Sequence, residues 1–153
     1  SFSVDYSLIP RVTFTDPEIA AVGLSSVDAA IQHIEVEVTR FDLEELDRAI
    51  AEGIDEGYIE VITAAGSDRI LGVTIVAEHA SEMLAPFLVA MRHKLGMNKL
   101  LAVLHAYPTL GESSKYVAGN WKRAHAPVRV LRMLEWWFLR RLKSVKGDSE
   151  KVV

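Results

Sequence analysis

The chain has 153 residues, half of them hydrophobic and a quarter charged, with a formal net charge of −4. This length and composition are typical of one globular domain. The absence of cysteine excludes disulfides, thiol nucleophiles and thiolate metal sites within the chain. The sequence lacks the basic and apolar regions of a signal peptide and any uncharged apolar run of about 18 residues. We therefore expect a cytoplasmic protein without a membrane-spanning helix.

Charge is unevenly placed along the chain. Residues 1–121 carry 18 acidic and 8 basic side chains, whereas residues 122–146 carry one acidic and 8 basic side chains. The sequence therefore predicts an acidic body followed by a basic C-terminal segment.

The first part of the chain alternates between predicted strands and short helices. Residues 11–15 are β-branched and alternate, which predicts a strand, and residues 16–18 form a turn or a first helical turn. Ser25 is a plausible N-cap for a helix that runs to about Gln32. Residues 33–41 alternate between apolar and charged side chains, which predicts a half-buried strand.

The middle of the chain predicts a short helix and a hairpin. Residues 42–53 form the helix, which Gly53 is placed to end. Residues 57–64 and 69–77 are two further strands, and residues 65–68 ("AGSD") form the turn between them. The predicted strands from residue 33 to residue 77 therefore follow one another as a meander.

After Ser81 the hydrophobic pattern changes to the period of a helix. Apolar side chains mark one face of a helix that Gly96 could end, and they are Met83, Leu84, Phe87, Leu88, Met91 and Leu95. Pro86 removes a hydrogen-bond donor early in this helix, so we expect a late start or a bend there. Further helices are predicted over 98–104, 109–119 and 127–146.

This order of elements predicts an α+β fold with helices packed against an antiparallel sheet. No glycine-rich turn stands between a strand and a helix, so the sequence excludes a dinucleotide-binding fold for this chain.

Three stretches together resemble one family. They are "IPRVTFTDPEIAAVGL" at 9–24, "ILGVTIVAEHASEML" at 70–84 and "LHAYPTLGES" at 104–113. Their order and spacing are similar to those of the C-terminal dimerisation domain of the FAD-dependent pyridine nucleotide-disulfide oxidoreductases. The last stretch resembles the family's His-Pro-Thr-x-x-Glu signature.

The resemblance implies a domain organisation and partners. Residues 1–9 would be a lead-in from upstream FAD and NAD domains, residues 10–125 the dimerisation domain, and residues 126–153 a basic amphipathic helix and tail. The longer parent would use FAD and NAD(P)H and act as a homodimer in cell redox homeostasis. We expect the isolated chain to bind neither cofactor and to lack catalytic activity.

The resemblance also implies site residues that act on the partner subunit. Glu112 matches the signature glutamate, and Pro108 would lie near the partner's flavin, after a peptide bond that is characteristically cis in the family. Tyr107 stands where the family has its histidine base, and a phenol with a pKa near 10 is a poor base at neutral pH. We therefore expect Tyr107 to act as a hydrogen-bond donor and packing group beside the flavin or a bound electrophile.

The residue at Tyr107 also bears on the substrate. Mercuric reductases resemble this chain in carrying tyrosine there, but they also carry a C-terminal cysteine pair that "GDSEKVV" lacks. Glutathione and dihydrolipoamide are disfavoured as substrates because the base that they need is missing.

Each site residue also has a plainer interpretation. Tyr107 could pack in a helix–turn with its hydroxyl in water, and Glu112 could close a capping box with Thr109 as the N-cap. Alternatively, Glu112 orients Tyr107 or a water molecule. We expect a structural or exposed role for His105. The remaining histidines lack the spacing of metal ligands, so no metal site is predicted.

Residues 126–147 predict a basic amphipathic helix, and this leaves alternatives open. The helix could pack on its own domain or on the partner subunit, or lie on an anionic membrane surface. A nucleic-acid partner is disfavoured because the acidic body repels phosphates. The competing hypothesis is therefore a free-standing interaction module that docks through this helix to a membrane surface or an acidic partner.

Overall fold

A five-stranded antiparallel sheet organises the structure, a computed structural model that describes residues 6–127, 132–133, 136–138 and 140. The strands are β1 Arg11–Thr13, β2 Glu18–Gly23, β3 Val36–Asp42, β4 Tyr58–Ala64 and β5 Ile70–Ala77. Their order across the sheet is β1-β2-β5-β4-β3. The α+β fold with an antiparallel sheet is therefore confirmed, and so is the predicted meander of β3, β4 and β5.

The main error of the sequence prediction is that it lacks strand β2. It assigns residues 16–18 to a turn or first helical turn and has no strand after them. The structure places Glu18–Gly23 between β1 and β5, where it pairs with both. Two of its six residues are alanine, which favours strands weakly, and so short an apolar run does not reveal its period. Burial of Ala20 and Val22 in the core selects the strand.

Within residues 6–127, six α-helices and three 3₁₀ turns accompany the sheet. The helices are α1 Ser26–Ile31, α2 Asp47–Glu52, α3 Ala80–Met83, α4 Ala85–Arg92, α5 Met97–Leu101 and α6 Ser113–Ala124. The 3₁₀ turns are Tyr6–Leu8, Leu43–Glu45 and Leu110–Glu112.

Local signals in the sequence set several of these helix ends. Ser25 caps α1, because its hydroxyl accepts from the Asp28 amide at 3.1 Å while the Asp28 carboxylate accepts from the Ser25 amide at 3.0 Å. Gly53 ends α2 in the left-handed conformation. At Pro86, where a late start or a bend is predicted, the structure has a break: α3 ends at Met83, and α4 begins at Ala85 with Pro86 in its first turn.

One hydrophobic core joins the sheet to the helices. It takes Val61, Val73 and Ile75 from the central strands. Phe87 from α4 and Met97 from α5, both fully buried, pack in the same cluster. The core thereby fixes α5, which leads directly into the signature stretch.

The chain divides into two compact units, Ser1–Lys122 and Arg123–Val153. In the second unit the described residues between 132 and 140 are helical, whereas Pro127 is not in a helix, and the other residues of the helix predicted over 127–146 lie outside the described residues. The indole of Trp136 has the Arg140 guanidinium 5.2 Å from its centroid. Within the described part of the chain, no helix is long and apolar enough to cross a membrane.

Candidate functional site

All of the signature stretch except Ser113 lies in the connection between α5 and α6. We call this connection, residues 102–112, the site segment. Its first end is anchored by the turn between β4 and β5. The Asp68 carboxylate accepts from the Asn98 amide at 3.2 Å and from the Asn98 Nδ2 at 2.7 Å. The Asp68 carbonyl accepts from the Met97 amide at 2.9 Å. The start of α5, and with it the departure of the site segment, is therefore fixed to the sheet.

The second end of the site segment is anchored by α6. The Ser113 hydroxyl donates to the Leu110 carbonyl at 2.5 Å, and the Ser114 hydroxyl contacts the Gly111 carbonyl at 2.9 Å. Val117 and Ala118, one turn further on, are fully buried. The site segment thus joins two helices that are both held in the core.

His105 is bonded within the site segment. Its Nδ1 lies 3.1 Å from the Val103 carbonyl oxygen, and its Nε2 lies 3.1 Å from the Ser114 hydroxyl. Because a carbonyl oxygen only accepts, Nδ1 carries the proton in this arrangement. These contacts agree with the structural role expected for His105.

The capping box predicted for Thr109 and Glu112 is wrong. The Thr109 hydroxyl donates to the Ala106 carbonyl at 2.9 Å and makes no cap with the helix. The Glu112 amide instead faces the Thr109 carbonyl at 3.4 Å. Residues 110–112 form a 3₁₀ turn, whose amides bond three residues back, so the α-helix begins only at Ser113.

Tyr107 is exposed in the signature stretch, as are Leu104, Ala106 and Pro108. Its side chain is 67% exposed, and its peptide bond to Pro108 is cis, as expected. Its hydroxyl donates to the Asp47 carboxylate at 2.7 Å. Asp47 is the first residue of α2 and lies 60 positions earlier in the chain. The bond therefore joins the site segment to a second element of the fold.

The Asp47 carboxylate raises the pKa of Tyr107 above its ordinary value of 10.0. The hydrogen bond to Asp47 is the largest cause, and the negative charge of Asp47 is the second. Desolvation of Tyr107 and the charges of Tyr116 and Glu112 raise the pKa further. At neutral pH the side chain is therefore a phenol, which is a poor general base there.

Glu112 and Tyr116 complete a group that we call the phenol–carboxylate cluster, comprising Asp47, Tyr107, Glu112 and Tyr116. Glu112 is only 4% exposed. Burial chiefly raises the pKa of Tyr116, and the charges of Glu112 and Asp47 raise it further. The ring of Tyr116 stacks on buried Phe41 with centroids 5.4 Å apart. The cluster thus rests on the core on one side and presents Tyr107 on the other.

Sequence reasoning named three candidate site residues and did not name Asp47. The signature points to Tyr107, Pro108 and Glu112, and the structure brings Tyr107 and Glu112 into one cluster. The hydroxyl of Tyr107, however, bonds to Asp47 and not to Glu112. Nothing in residues 42–53 signals a contact with a tyrosine 60 positions away, because the two meet only through the tertiary fold.

Apolar side chains are exposed on both elements that meet at Tyr107. Leu104 in the site segment is 96% exposed and Val103 beside it is also exposed, as is Ile50 on α2. These exposed apolar side chains make this part of the surface a candidate for association with a partner.

Comparison with known proteins identifies the family. The sequence profile of the pyridine nucleotide-disulphide oxidoreductase dimerisation domain matches residues 9–118. A dihydrolipoyl dehydrogenase of Chlamydia muridarum is 38% identical over 109 residues, which cover 71% of this chain and 23% of that protein. A mercuric reductase of Acidithiobacillus ferrooxidans is 32% identical over 123 residues, which cover 80% of this chain and 22% of that protein.

Solved structures show the same fold. The crystal structure of LpdA from Mycobacterium tuberculosis matches with a TM-score of 0.71 and 26% identity, over 76% of this chain and 25% of that chain. The HOCl-induced flavoprotein disulfide reductase RclA from Escherichia coli, in its Cu(II) complex, matches in fold with a TM-score of 0.69 and 19% identity, over 74% of this chain and 26% of that chain. The chain thus spans about a quarter of the length of its relatives. It belongs to the dimerisation-domain family of the pyridine nucleotide-disulfide oxidoreductases.

Proposed function

We propose that this chain is the homodimerisation domain of a longer FAD- and NAD(P)H-dependent disulfide oxidoreductase. In the dimer it lends Tyr107, Pro108 and Glu112 to the active site of the partner subunit, with Pro108 near the flavin. The family match over 9–118 supports the domain assignment, and the names of the relatives support the class of reaction.

The observation that carries this proposal is the way in which Tyr107 is displayed. An exposed phenol is held at 2.7 Å by a carboxylate of another element, in a segment anchored at both ends. Holding an exposed tyrosine in one direction costs rotamer entropy. This cost has little return for a side chain that contacts only solvent. The arrangement suits a group that must meet a second surface in one orientation.

The chemistry open to Tyr107 follows from its protonation. With its pKa raised, the phenol neither removes a proton from a thiol at neutral pH nor carries a negative charge. We infer that Tyr107 serves as a hydrogen-bonding and packing group in the parent's reaction. Substrates that depend on a base here are correspondingly disfavoured.

The exposed apolar residues near Tyr107 make self-association testable on the chain itself. We expect the chain to dimerise at hundreds of micromolar, since a partner copy would cover Leu104 and its neighbours. Sedimentation equilibrium should show this, and Leu104→Glu should shift the chain towards monomer. Val27→Glu is the matched control, because Val27 is also exposed but lies on α1.

Two results would contradict the proposed dimer surface. One is a chain that stays monomeric throughout the concentration range. The other is an equal effect of Leu104→Glu and Val27→Glu, which would place the contact elsewhere or make it nonspecific.

The encoding reading frame separates this proposal from a free-standing interaction module. We expect the frame upstream of residue 1 to encode a flavin-binding glycine motif and a Cys-x4-Cys pair. A frame that encodes neither would favour the module that docks through the basic segment at 126–147.

A further inference from the structure

We propose that Asp47 is a positioning residue of the parent's active site, which fixes the direction in which Tyr107 offers its phenol oxygen to the partner subunit. This inference rests on the proposed function and deepens it, because it adds a residue outside the signature and assigns the polarity of the contact that Tyr107 makes.

The polarity follows from the hydrogen bond. A tyrosine hydroxyl has one proton to donate and lone pairs with which to accept, whereas a carboxylate only accepts. The Tyr107 proton is therefore committed to Asp47 Oδ2, 2.7 Å away. What remains free on the phenol is its acceptor capacity. We therefore assign Tyr107 an acceptor role towards the partner. The donor role expected from the sequence would require the hydrogen bond to Asp47 to break.

The direction of the hydroxyl is set by an element that cannot easily move. Asp47 stands between Leu46 and the rest of α2, and Leu46 is 1% exposed while Ala49 is fully buried. Gly53 closes the same helix with its left-handed conformation. The carboxylate therefore projects from a backbone that the core holds, while Tyr107 projects from the site segment.

The charges of Asp47, Glu112 and Tyr116 all raise the pKa of Tyr107. Asp47 binds the hydroxyl of Tyr107 from α2, and the charges of Glu112 in the 3₁₀ turn and Tyr116 in α6 act on it as well. Both carboxylates keep the proton on the phenol. The Lys115 ammonium lies 6.0 Å from the centroid of the Tyr116 ring, beside the cluster. A partner group that binds the phenol oxygen must therefore supply a hydrogen, as an N–H, an S–H or a water does.

The contact itself is tested on this chain by titrating Tyr107. Selective ¹³Cζ labelling of tyrosine gives separate signals for the four tyrosines, and Tyr107→Phe assigns that of Tyr107. We expect Asp47→Ala to lower the apparent pKa of Tyr107 towards the ordinary tyrosine value. Glu45→Gln removes a neighbouring exposed carboxylate without removing the bond, and it should leave the titration of Tyr107 nearly unchanged.

The role in the reaction is tested in the parent enzyme by a double-mutant cycle. We expect Asp47→Ala to lower kcat/KM by about five- to thirtyfold, the effect of losing one or two kcal/mol of hydrogen bonding. Tyr107→Phe should lower it at least as much. The double variant should match Tyr107→Phe alone, because Asp47 acts through Tyr107.

The outcomes separate this inference from the proposed function. An unchanged Tyr107 titration in Asp47→Ala, or additive losses in the double variant, would overturn the positioning role and leave the proposed function standing. Wild-type rates in the parent for both single variants, with a clear change in the titration, would overturn the proposed function and this inference with it.

Discussion

Gly72→Ala tests the packing between strands that supports the whole domain. Gly72 lies in β5 opposite Gly23 of β2, next to the register shift where Ile62 pairs with Gly72 and Thr63 pairs with Ile70. A Cβ added at Gly72 would overlap the carbonyl oxygen of Leu24 and stand 2.7 Å from its carbonyl carbon and amide nitrogen. These are backbone atoms, so no side chain can rotate away.

The size of the effect follows from what must move. Relief of the overlap separates residues 23–24 from β5 and weakens the hydrogen bond from the Leu24 amide to the Leu71 carbonyl, which is 3.0 Å long. Overpacking costs about 1–3 kcal/mol, and a lost hydrogen bond adds about 1 kcal/mol. We therefore expect Gly72→Ala to lower the free energy of unfolding by about 2–4 kcal/mol. For a domain of this size that lowers Tm by about 4–16 °C.

Thermal unfolding followed by circular dichroism measures this effect at one fixed protein concentration, because self-association changes Tm. Gly111→Ala is the control, since a Cβ there meets only the Thr109 hydroxyl at 3.9 Å. It should change the free energy of unfolding by less than about 0.5 kcal/mol. Equal Tm values for the two variants would refute the packing argument at Gly72.

Three further predictions concern single residues. Tyr107→Phe in the parent should lower activity only modestly, and a loss of about a thousandfold with a pH profile centred near 7 would instead make Tyr107 the acid or base. Ser25→Ala removes the cap of α1 and should cost about 1 kcal/mol in urea unfolding, whereas Ser25→Thr should recover most of it. Ser81 donates to Glu18 from its amide at 3.0 Å and its hydroxyl at 2.8 Å, which lowers the pKa of Glu18. The stabilisation by this carboxylate is present above the ordinary glutamate pKa and is lost as the pH falls through the lowered pKa of Glu18. Glu18→Gln should therefore reduce the fall of Tm in acid. The same fall of Tm in the variant and the wild type would contradict this prediction.

Local chemistry in the sequence predicted much of the fold. The alternation of residues 33–41 places β3, and Ser25, Gly53 and Pro86 each mark a helix end through a cap or a missing amide. β2 was missed because its alanines have no strong preference, and only pairing on both sides makes it a strand. What the sequence lacked was therefore information that arises between elements.

The same division holds at the site. The family resemblance points to Tyr107 and Glu112 as candidate site residues, because the signature that contains them is contiguous in the chain. No motif in the sequence identifies Asp47, because its contact with Tyr107 depends on how α2 packs against the core. The capping box failed for a related reason: the tight turn at 110–112 takes up the backbone amide that Thr109 would have capped.

The anchoring of the site segment at both ends also makes it a natural frame for redesign. Asp68 and Asn98 hold one end, and Ser113 and Ser114 hold the other. Variation confined to the exposed positions among 103–107 would leave these bonds in place, so a library there could alter what the loop contacts without costing the domain its fold. A new loop sequence would be displayed with little freedom left to lose on binding, which is the condition under which added contacts translate into affinity.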